Sequence, residues 1–433
     1  MDTASVELLA IGAGPANLAL AVALEELAPD ELATGSVIVE QHHDVLWQRG
    51  MLLPWSQSQV SFLKDLVTLR NPRSDFSFLN YLHSVGRLDQ FVNLGTFTPY
   101  RMEISNYLQW VAASLAKVRI EYGRRTVAVE PTADRTRWLV RLADGSTVAC
   151  RHLVVGAGRD PYLPPEFAAV PRERLVHSTE FTARIGALDR NAPYRIVVVG
   201  GAQSAAEMLW SVHQGFPQAQ CTMVMRSIGL NNYESSKFTN ELFYPSFVDT
   251  FHAARPQARV QLLQEMHRTN YSGLAPYLLD QLYRQMYLDR LAGAERLRMR
   301  TMCDVAGAAM DGDEVVLTLA DRRTGHRSEL RCDLVLLGTG FVKQMPKLAR
   351  DLAAAAGVGE ITVDRNYRMV LPPSFRATCH LQGVNEATHG IADSLMSVLA
   401  VRAGEIVADL LAARTQTADP TPGQLLAARG APR

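Results

Sequence analysis

The stretch Val6-Glu7-Leu8-Leu9-Ala10-Ile11-Gly12-Ala13-Gly14-Pro15-Ala16-Asn17 decides how this chain folds. An apolar run over 6–11 stops at Gly12, and a helix-like run over 17–27 follows. Residues 36–39 then read as a second strand, closed by Glu40. Strand, glycine turn, helix, strand and acidic residue make a βαβ unit. Glycines let the backbone turn tightly and approach a pyrophosphate, while the helix N-terminus offers free N–H groups and the positive end of a dipole. Glu40 is placed to accept hydrogen bonds from ribose hydroxyls. A glycine motif alone is weak evidence, but set between a strand and a helix and ahead of an acidic strand end it is strong. Gly12, Gly14, Pro15, Asn17 and Glu40 are therefore read as dinucleotide-binding positions, with Asn17 standing where the fingerprint usually has Gly or Ala.

Working outward, the pattern recurs about a domain's length later. Residues 195–199 form a strand that runs into Gly200-Gly201-Ala202-Gln203-Ser204-Ala205, followed by a helix over 206–212 and a strand over 221–225 with Arg226 at its end. Ala202 replaces the middle glycine, which holds a pyrophosphate slightly farther out. A guanidinium matches phosphate geometry, so Arg226 reads as the partner of a 2′-phosphate and favours NADPH over NADH; the alternative is an ordinary surface arginine after a strand. Two such turns in one chain imply FAD in one domain and NADPH in the other. A glycine-marked strand end returns at Gly338-Thr339-Gly340, so the second domain is inserted into the first. Gly200, Gln203, Ser204, Arg226 and Gly340 join the cofactor positions.

The fold class expected is α/β, with two Rossmann-like dinucleotide-binding domains, for FAD and NADPH, and a small, mostly helical substrate-binding segment. Residues 1–170 are the first part of the FAD domain, 171–335 the NADPH domain, and 336–433 the second part of the FAD domain with its tail. The helical insertion spans 229–290. Residues 51–110 are aromatic-rich and without a clean period, as loops and short helices over a site would be. Residues 118–149 read as a β-meander around Asp144-Gly145, and 153–155 as a buried strand ending in Gly156-Ala157-Gly158. Residues 161–171 are Pro-rich and read as a linker. Strands return at 315–319 and 334–337. Residues 392–411 read as an amphipathic helix, and the last residues as disordered.

Composition sets outer limits. At 433 residues the chain is too long for one core, so two or three domains are expected. Lys plus Arg equals Asp plus Glu at 44 each, which does not favour nucleic acid or an anionic membrane. The five cysteines (150, 221, 303, 332 and 379) are scattered, and none has CxxC spacing. Neither a metal site nor a dithiol redox motif is indicated, and a reduced, cytoplasmic compartment fits. The apolar N-terminus lacks a basic leader and carries Gly12, Gly14 and Pro15, so it is not read as a signal peptide.

Several longer motifs resemble the flavin-dependent N-hydroxylating monooxygenases of siderophore biosynthesis, in particular the ornithine N5-monooxygenases. Gln59 to Leu66 with Leu69-Arg70-Asn71-Pro72, and Asn93 to Phe97 with Arg101-Met102-Glu103, are similar to the family's signatures. So are Gly201 to Glu207, Phe238-Thr239-Asn240-Glu241, Thr269-Asn270-Tyr271-Ser272, and His389-Gly390 with Asp393-Ser394-Leu395. The chain departs from the family at Ala202, Gly338, Gln48 and Ser58.

The resemblance implies that NADPH reduces FAD, that reduced flavin and O2 give a C4a-hydroperoxide, and that a substrate side-chain amine takes its distal oxygen. The residues it implies are Asn270, aligning the amine and contacting NADP, and Gln59, touching flavin or substrate. Lys64 is assigned to the substrate carboxylate, Asn240 to its α-amino group, and Ser394 to a further carboxylate contact. Trp47, Asp393 and Leu395 join the cofactor positions. Lys64 lies in an otherwise apolar stretch, where a solvated lysine is less expected; its bland reading is an exposed head on a packed stem. For Asn270 the bland reading is a turn residue, and for Ser394 a helix cap.

L-ornithine is the leading substrate, with L-lysine and diamines such as putrescine or cadaverine as rivals. A disulfide reductase shares the architecture but needs a cysteine pair beside the flavin. A non-catalytic flavin-binding redox module is the remote alternative. The partners expected are the amine and O2, with neither nucleic acid nor membrane, in a homo-oligomer such as a tetramer.

Overall fold

Parallel strands buried on both faces read as unbroken apolar runs, and the runs on either side of the first glycine turn do so. In the computed structural model, which describes residues 3–417 except residue 272, β1 (Thr3–Ile11) and β2 (Ser36–Val39) pair in parallel with Ile11 opposite Val39. β3 (Arg119–Glu121), β4 (Thr126–Pro131), β5 (Trp138–Leu142) and β6 (Thr147–Val155) complete the order β3-β2-β1-β6-β5-β4. Val155 lies opposite Ile11. Three strands therefore end level, and Gly12, Glu40 and Gly156 follow directly.

The chain then builds a second sheet from β7 (Leu175–His177), β8 (Arg195–Val199), β9 (Gln220–Val224) and β10 (Leu297–Arg300). An antiparallel meander follows, β11 (Cys303–Asp311), β12 (Glu314–Asp321) and β13 (Arg327–Cys332). β14 (Leu334–Leu337) returns to the second sheet, in the order β10-β9-β8-β14-β7, and β15 (Thr378–Leu381) rejoins the first beside β6. Val199 faces both Val224 and Leu337, so these parallel strands also end level, just before Gly200, Met225 and Gly338. The architecture is α/β with two Rossmann-like units. Only the middle strand of the meander is expected from the sequence, over 315–319. Its outer strands are diluted by Ala, Gly, Arg and Glu, and the turn at Gly312, with φ +58°, was the available cue.

Helices cover the sheet faces: α1 (Pro15–Leu27), α2 (Arg101–Ser114), α3 (Gln203–Gly215), the series α4 (Lys237–Glu241), α5 (Pro245–Ala253), α6 (Pro256–Asn270) and α7 (Pro276–Leu291), and α8 (Leu399–Thr417). α1 is Ala- and Leu-rich all round and is buried accordingly, with Leu18, Ala21 and Val22 in one core with Ala403, Ile406 and Leu410 of α8. Among the described residues no helix is long and apolar enough to cross a membrane.

The tail corrects an expectation. The helix read over 392–411 begins at Leu399, after two 3-10 turns at Ile391–Ser394 and Met396–Val398. Gly390, at φ +83°, turns the chain there. The buried Arg402 donates to the carbonyl of Asp393 at 2.6 Å and to its carboxylate at 2.9 Å, which holds the segment out of helical register. The expectation for the last residues lies outside the described residues.

One buried pair joins the two units. Arg101 on α2 meets Glu207 on α3 through two hydrogen bonds of 2.7 and 2.6 Å, and Glu207 is fully buried. Gln203 adds a third bond to the same carboxylate at 2.8 Å. Removing one partner of such a pair strands a buried charge, so Glu207→Ala is expected to lower stability by about 3–5 kcal/mol in urea unfolding. The double variant Arg101→Met/Glu207→Leu is expected to lose less than that single change.

Candidate active site

The level strand ends of both sheets open onto one cleft of about 2710 Å³. A single small-ligand pocket is about 300–1,000 Å³, so the cleft has room for two nucleotides and a substrate together.

At the first turn Gly12, Gly14, Pro15 and Glu40 line the cleft. Gly12 takes φ +91°, and a side chain there would crowd the Gly156 carbonyl at 3.0 Å. Ala13 N–H donates to Glu40 Oε2 at 2.7 Å and His42 N–H to Oε1 at 2.9 Å, so the acidic residue braces the turn it faces. Gly14 starts α1 with no side-chain cap, and the space over its Cα is open.

Asn17, read as a cofactor contact, is fully buried and does not line the cleft. Its Nδ2 donates to the carbonyls of Ile11 and Gly12 at 2.9 and 2.7 Å, and its Oδ1 accepts from Gln382 at 2.8 Å. Its amide fastens the turn to β15's exit instead of facing a ligand.

At the second turn Gly200, Gly201 and Ala202 line the cleft, with Arg226 exposed in it at the end of β9. A side chain on Gly200 would lie 2.5 Å from the Gly338 carbonyl, so only glycine lets β8 and β14 close there. Gln203 and Ser204 are corrected. Gln203 is committed to Glu207 and to Ala275 N–H, which it accepts at 2.8 Å, and neither residue lines the cleft. Both sit on α3's first turn, whose Ala205 is the side chain packed against the strand-end glycines Gly200 and Gly338. Arg226 has no ion-pair partner among the described residues, whereas nearby Asp304 is held below the usual carboxylate range, first by its hydrogen bond with Arg322. Gly340 lines the third strand end, and its carbonyl accepts from Tyr162 N–H at 2.9 Å.

The middle of the cleft collects the remaining candidates. Trp47, Gln59 and Lys64 line it from the overlying segment. Lys64 is half-buried, its Nζ lies 4.4 Å from the centre of the Tyr244 ring, and burial lowers its pKa. It has no carboxylate partner among the described residues. Asn270, the last residue of α6, is half-buried there, and its side-chain amide has no hydrogen-bond partner among the described residues. Asn240 is exposed on α4, with Nδ2 at 3.4 Å from the Ser235 carbonyl. Leu395 lines the cleft and packs on the small core around Phe243 and Met266.

Asp393 reaches the cleft wall, but its carboxylate is committed to Arg402 and to Asn385 N–H at 2.7 Å, which makes it structural. Ser394 Oγ lies 3.3 Å from the Tyr271 hydroxyl, which donates to Glu386 at 2.7 Å. Burial first, then the Glu386 charge, pushes the Tyr271 phenol up to about 12. Sequence reasoning gave no role to Tyr271, Glu386 or Arg159, because they come from three separate segments. Ser272 lies outside the described residues.

The cleft therefore suits two dinucleotides: an open glycine turn with a ribose acceptor on one sheet, and an open turn with an unpaired guanidinium on the other. The five cysteines are buried and free, so no cysteine pair faces the cleft among the described residues. This combination defines a two-dinucleotide flavoprotein oxidoreductase rather than a disulfide reductase. Residues 4–343 match the family described as L-lysine 6-monooxygenase/L-ornithine 5-monooxygenase, and the chain belongs to it. It is 39% identical to the L-ornithine N(5)-oxygenase of Arthrobotrys oligospora, over 93% of this chain and 87% of that protein. The ornithine hydroxylase of Pseudomonas aeruginosa superposes with a TM-score of 0.88 at 35% identity, covering 95% of this chain and all of that one. The ornithine N-hydroxylase of Kutzneria sp. 744, in a structure with reduced FAD, NADP+ and L-ornithine, gives 0.88 at 34% over the same shares.

Because Asn17 holds the turn rather than a ligand, Asn17→Ala is expected to cost the apoprotein roughly 1–3 kcal/mol by stranding buried carbonyls. Urea unfolding without nucleotide reads it. Unchanged stability together with lost FAD binding would return Asn17 to the cofactor set.

Proposed function

We propose that the protein is an FAD- and NADPH-dependent N-monooxygenase that hydroxylates the side-chain amine of L-ornithine, for a hydroxamate siderophore or related natural product. The observation that carries this reading is Lys64, a half-buried cation with no carboxylate partner among the described residues, on the wall of the cleft that both nucleotide turns line. The first sheet, built from residues of 1–170 and 336–433, holds FAD at Gly12, Gly14, Pro15 and Glu40. The second, from Leu175 in β7 to Leu337 in β14, holds NADPH at Gly200 and Arg226. The insertion over 229–290 contributes to the substrate site.

When bound, FAD reduced by NADPH would activate O2 as the source of the transferred oxygen, while the protein's own residues bind and orient the substrate and exclude water. Lys64 takes the substrate carboxylate, Asn240 the α-amino group and Asn270 the reacting amine. That amine must be neutral to have a lone pair. An alkyl ammonium with pKa near 10.4 loses its proton at a cost of roughly 4–5 kcal/mol at pH 7. Neutral amides such as Asn270, once bound nucleotides and substrate displace water from the cleft, lower that cost because they do not stabilise the charged form as water does. A homo-oligomer in the cytoplasm remains the expected setting.

The test is hydroxylated product, not NADPH loss alone, measured with ornithine, lysine, putrescine and cadaverine. Ornithine is expected to give the highest kcat/KM. One methylene is worth only about 1–3 kcal/mol in a pocket, so lysine is the competitor to beat, and a lysine preference would move the protein to the other branch of its family. Lys64→Ala is expected to raise KM for ornithine by about ten-fold or more while flavin content and NADPH affinity stay unchanged. With burial lowering Lys64, ornithine binding should also weaken on the alkaline side before an ordinary lysine, near 10.4, would titrate.

A further inference from the structure

Three side chains form a chain along the cleft wall: Glu386, Tyr271 and Ser394. Tyr271 follows the last residue of α6, Glu386 opens a short helix at Glu386–His389, and Ser394 closes the 3-10 turn at Ile391–Ser394. Gly390, at φ +83° and backed by the Phe251 ring, turns the chain between the last two. The Tyr271 hydroxyl lies 2.7 Å from Glu386 Oε2 and 3.3 Å from Ser394 Oγ. Arg159 Nη2 lies 3.8 Å from the same Glu386 oxygen and keeps a cation beside it.

Proton counting fixes the direction of each bond. A phenol has one proton and a carboxylate only accepts, so the Tyr271 proton goes to Glu386. The contact with Ser394 must then run the other way: Ser394 donates and the phenol oxygen accepts. Its one proton committed, Ser394 shows the cleft only lone pairs. Such a group cannot serve a carboxylate, which also only accepts, but it can hold an N–H.

We propose that Tyr271 and Glu386 are positioning residues that fix Ser394 as an acceptor, so that Ser394 takes an N–H of the substrate and leaves the carboxylate to Lys64. This replaces the carboxylate role read for Ser394 from sequence, and it rests on the amine-hydroxylase reading above. Held through N–H, the side-chain amine keeps its lone pair free. The α-amino group offers the same chemistry, and the test separates the two nitrogens.

Affinity is measured for ornithine, for norvaline, which lacks the side-chain amine, and for 5-aminopentanoate, which lacks the α-amine, the analogues as competitive inhibitors. Wild type is compared with Tyr271→Phe, Ser394→Ala, Glu386→Leu and Glu386→Gln. Losing a hydrogen bond to a charged or reacting nitrogen is worth about ten-fold. Tyr271→Phe, Ser394→Ala and Glu386→Leu are each expected to weaken ornithine by about that factor, with flavin content and NADPH affinity unchanged. One analogue should be weakened equally and the other should not, and the one affected names the nitrogen. Glu386→Gln keeps a carbonyl that accepts from Tyr271 and should restore most of the affinity. Equal weakening of both analogues, no weakening of ornithine, or a Glu386→Gln variant as poor as Glu386→Leu overturns the proposal. Should one variant lose its flavin, the other three carry the test. A wild-type enzyme that forms no hydroxylated amine defeats the amine-hydroxylase reading itself, a result distinct from these.

Discussion

Parallel strands that end level, with a glycine where each sheet turns into its helix, are the constraint on which everything else depends. Ile11, Val39 and Val155 stop together on one sheet, and Val199, Val224 and Leu337 stop together on the other. The backbone can turn there only because Gly12 and Gly200 leave room for the neighbouring Gly156 and Gly338 carbonyls. Each turn then starts a helix whose first N–H groups lack side-chain caps. Anion binding is thereby built into the backbone, and side chains are needed only to tell one nucleotide from the other.

The cleft that both turns line is where we place the chemistry proposed for this chain. Much of the charge on its walls is already committed to ion pairs. Most arginines around it are paired, Arg101 with Glu207 and Arg402 with Asp393 in full burial. Among the described residues Lys64 is not, and that contrast gives it meaning. A cation that has been partly desolvated and left without a counter-ion is stabilised when an anionic group arrives. The neighbouring amides and hydroxyls are neutral, which suits a nitrogen that has to give up its charge before it can react.

Much of the fold was legible because its signals are local. Both βαβ units, the acidic strand end at Glu40 and the later strand at 334–337 follow from runs, glycines and strand-end residues read in order. The outer strands of the β11–β13 meander were not legible, since their alternation is weak. The start of α8 was misplaced because what delays it, the Arg402–Asp393 pair, is a contact across nine residues. Of the candidate residues, the turn glycines and Lys64 do line the cleft, as their surroundings in sequence suggest. Asn17, Gln203 and Asp393 could not be placed in this way, because a polar residue next to a glycine turn looks the same whether it faces a ligand or ties the turn to a distant segment. Tyr271 and Glu386 are invisible for the same reason in reverse: 115 residues separate partners that share one proton.

The central claim is that two nucleotides share one cleft, close enough for one to reduce the other. Titration of the purified protein with NADPH in the absence of oxygen tests it most directly. The account predicts a yellow protein whose oxidised-flavin band bleaches with one equivalent of NADPH and returns when air is admitted. A protein that takes up no flavin, or whose bound flavin stays oxidised in excess NADPH, would contradict it.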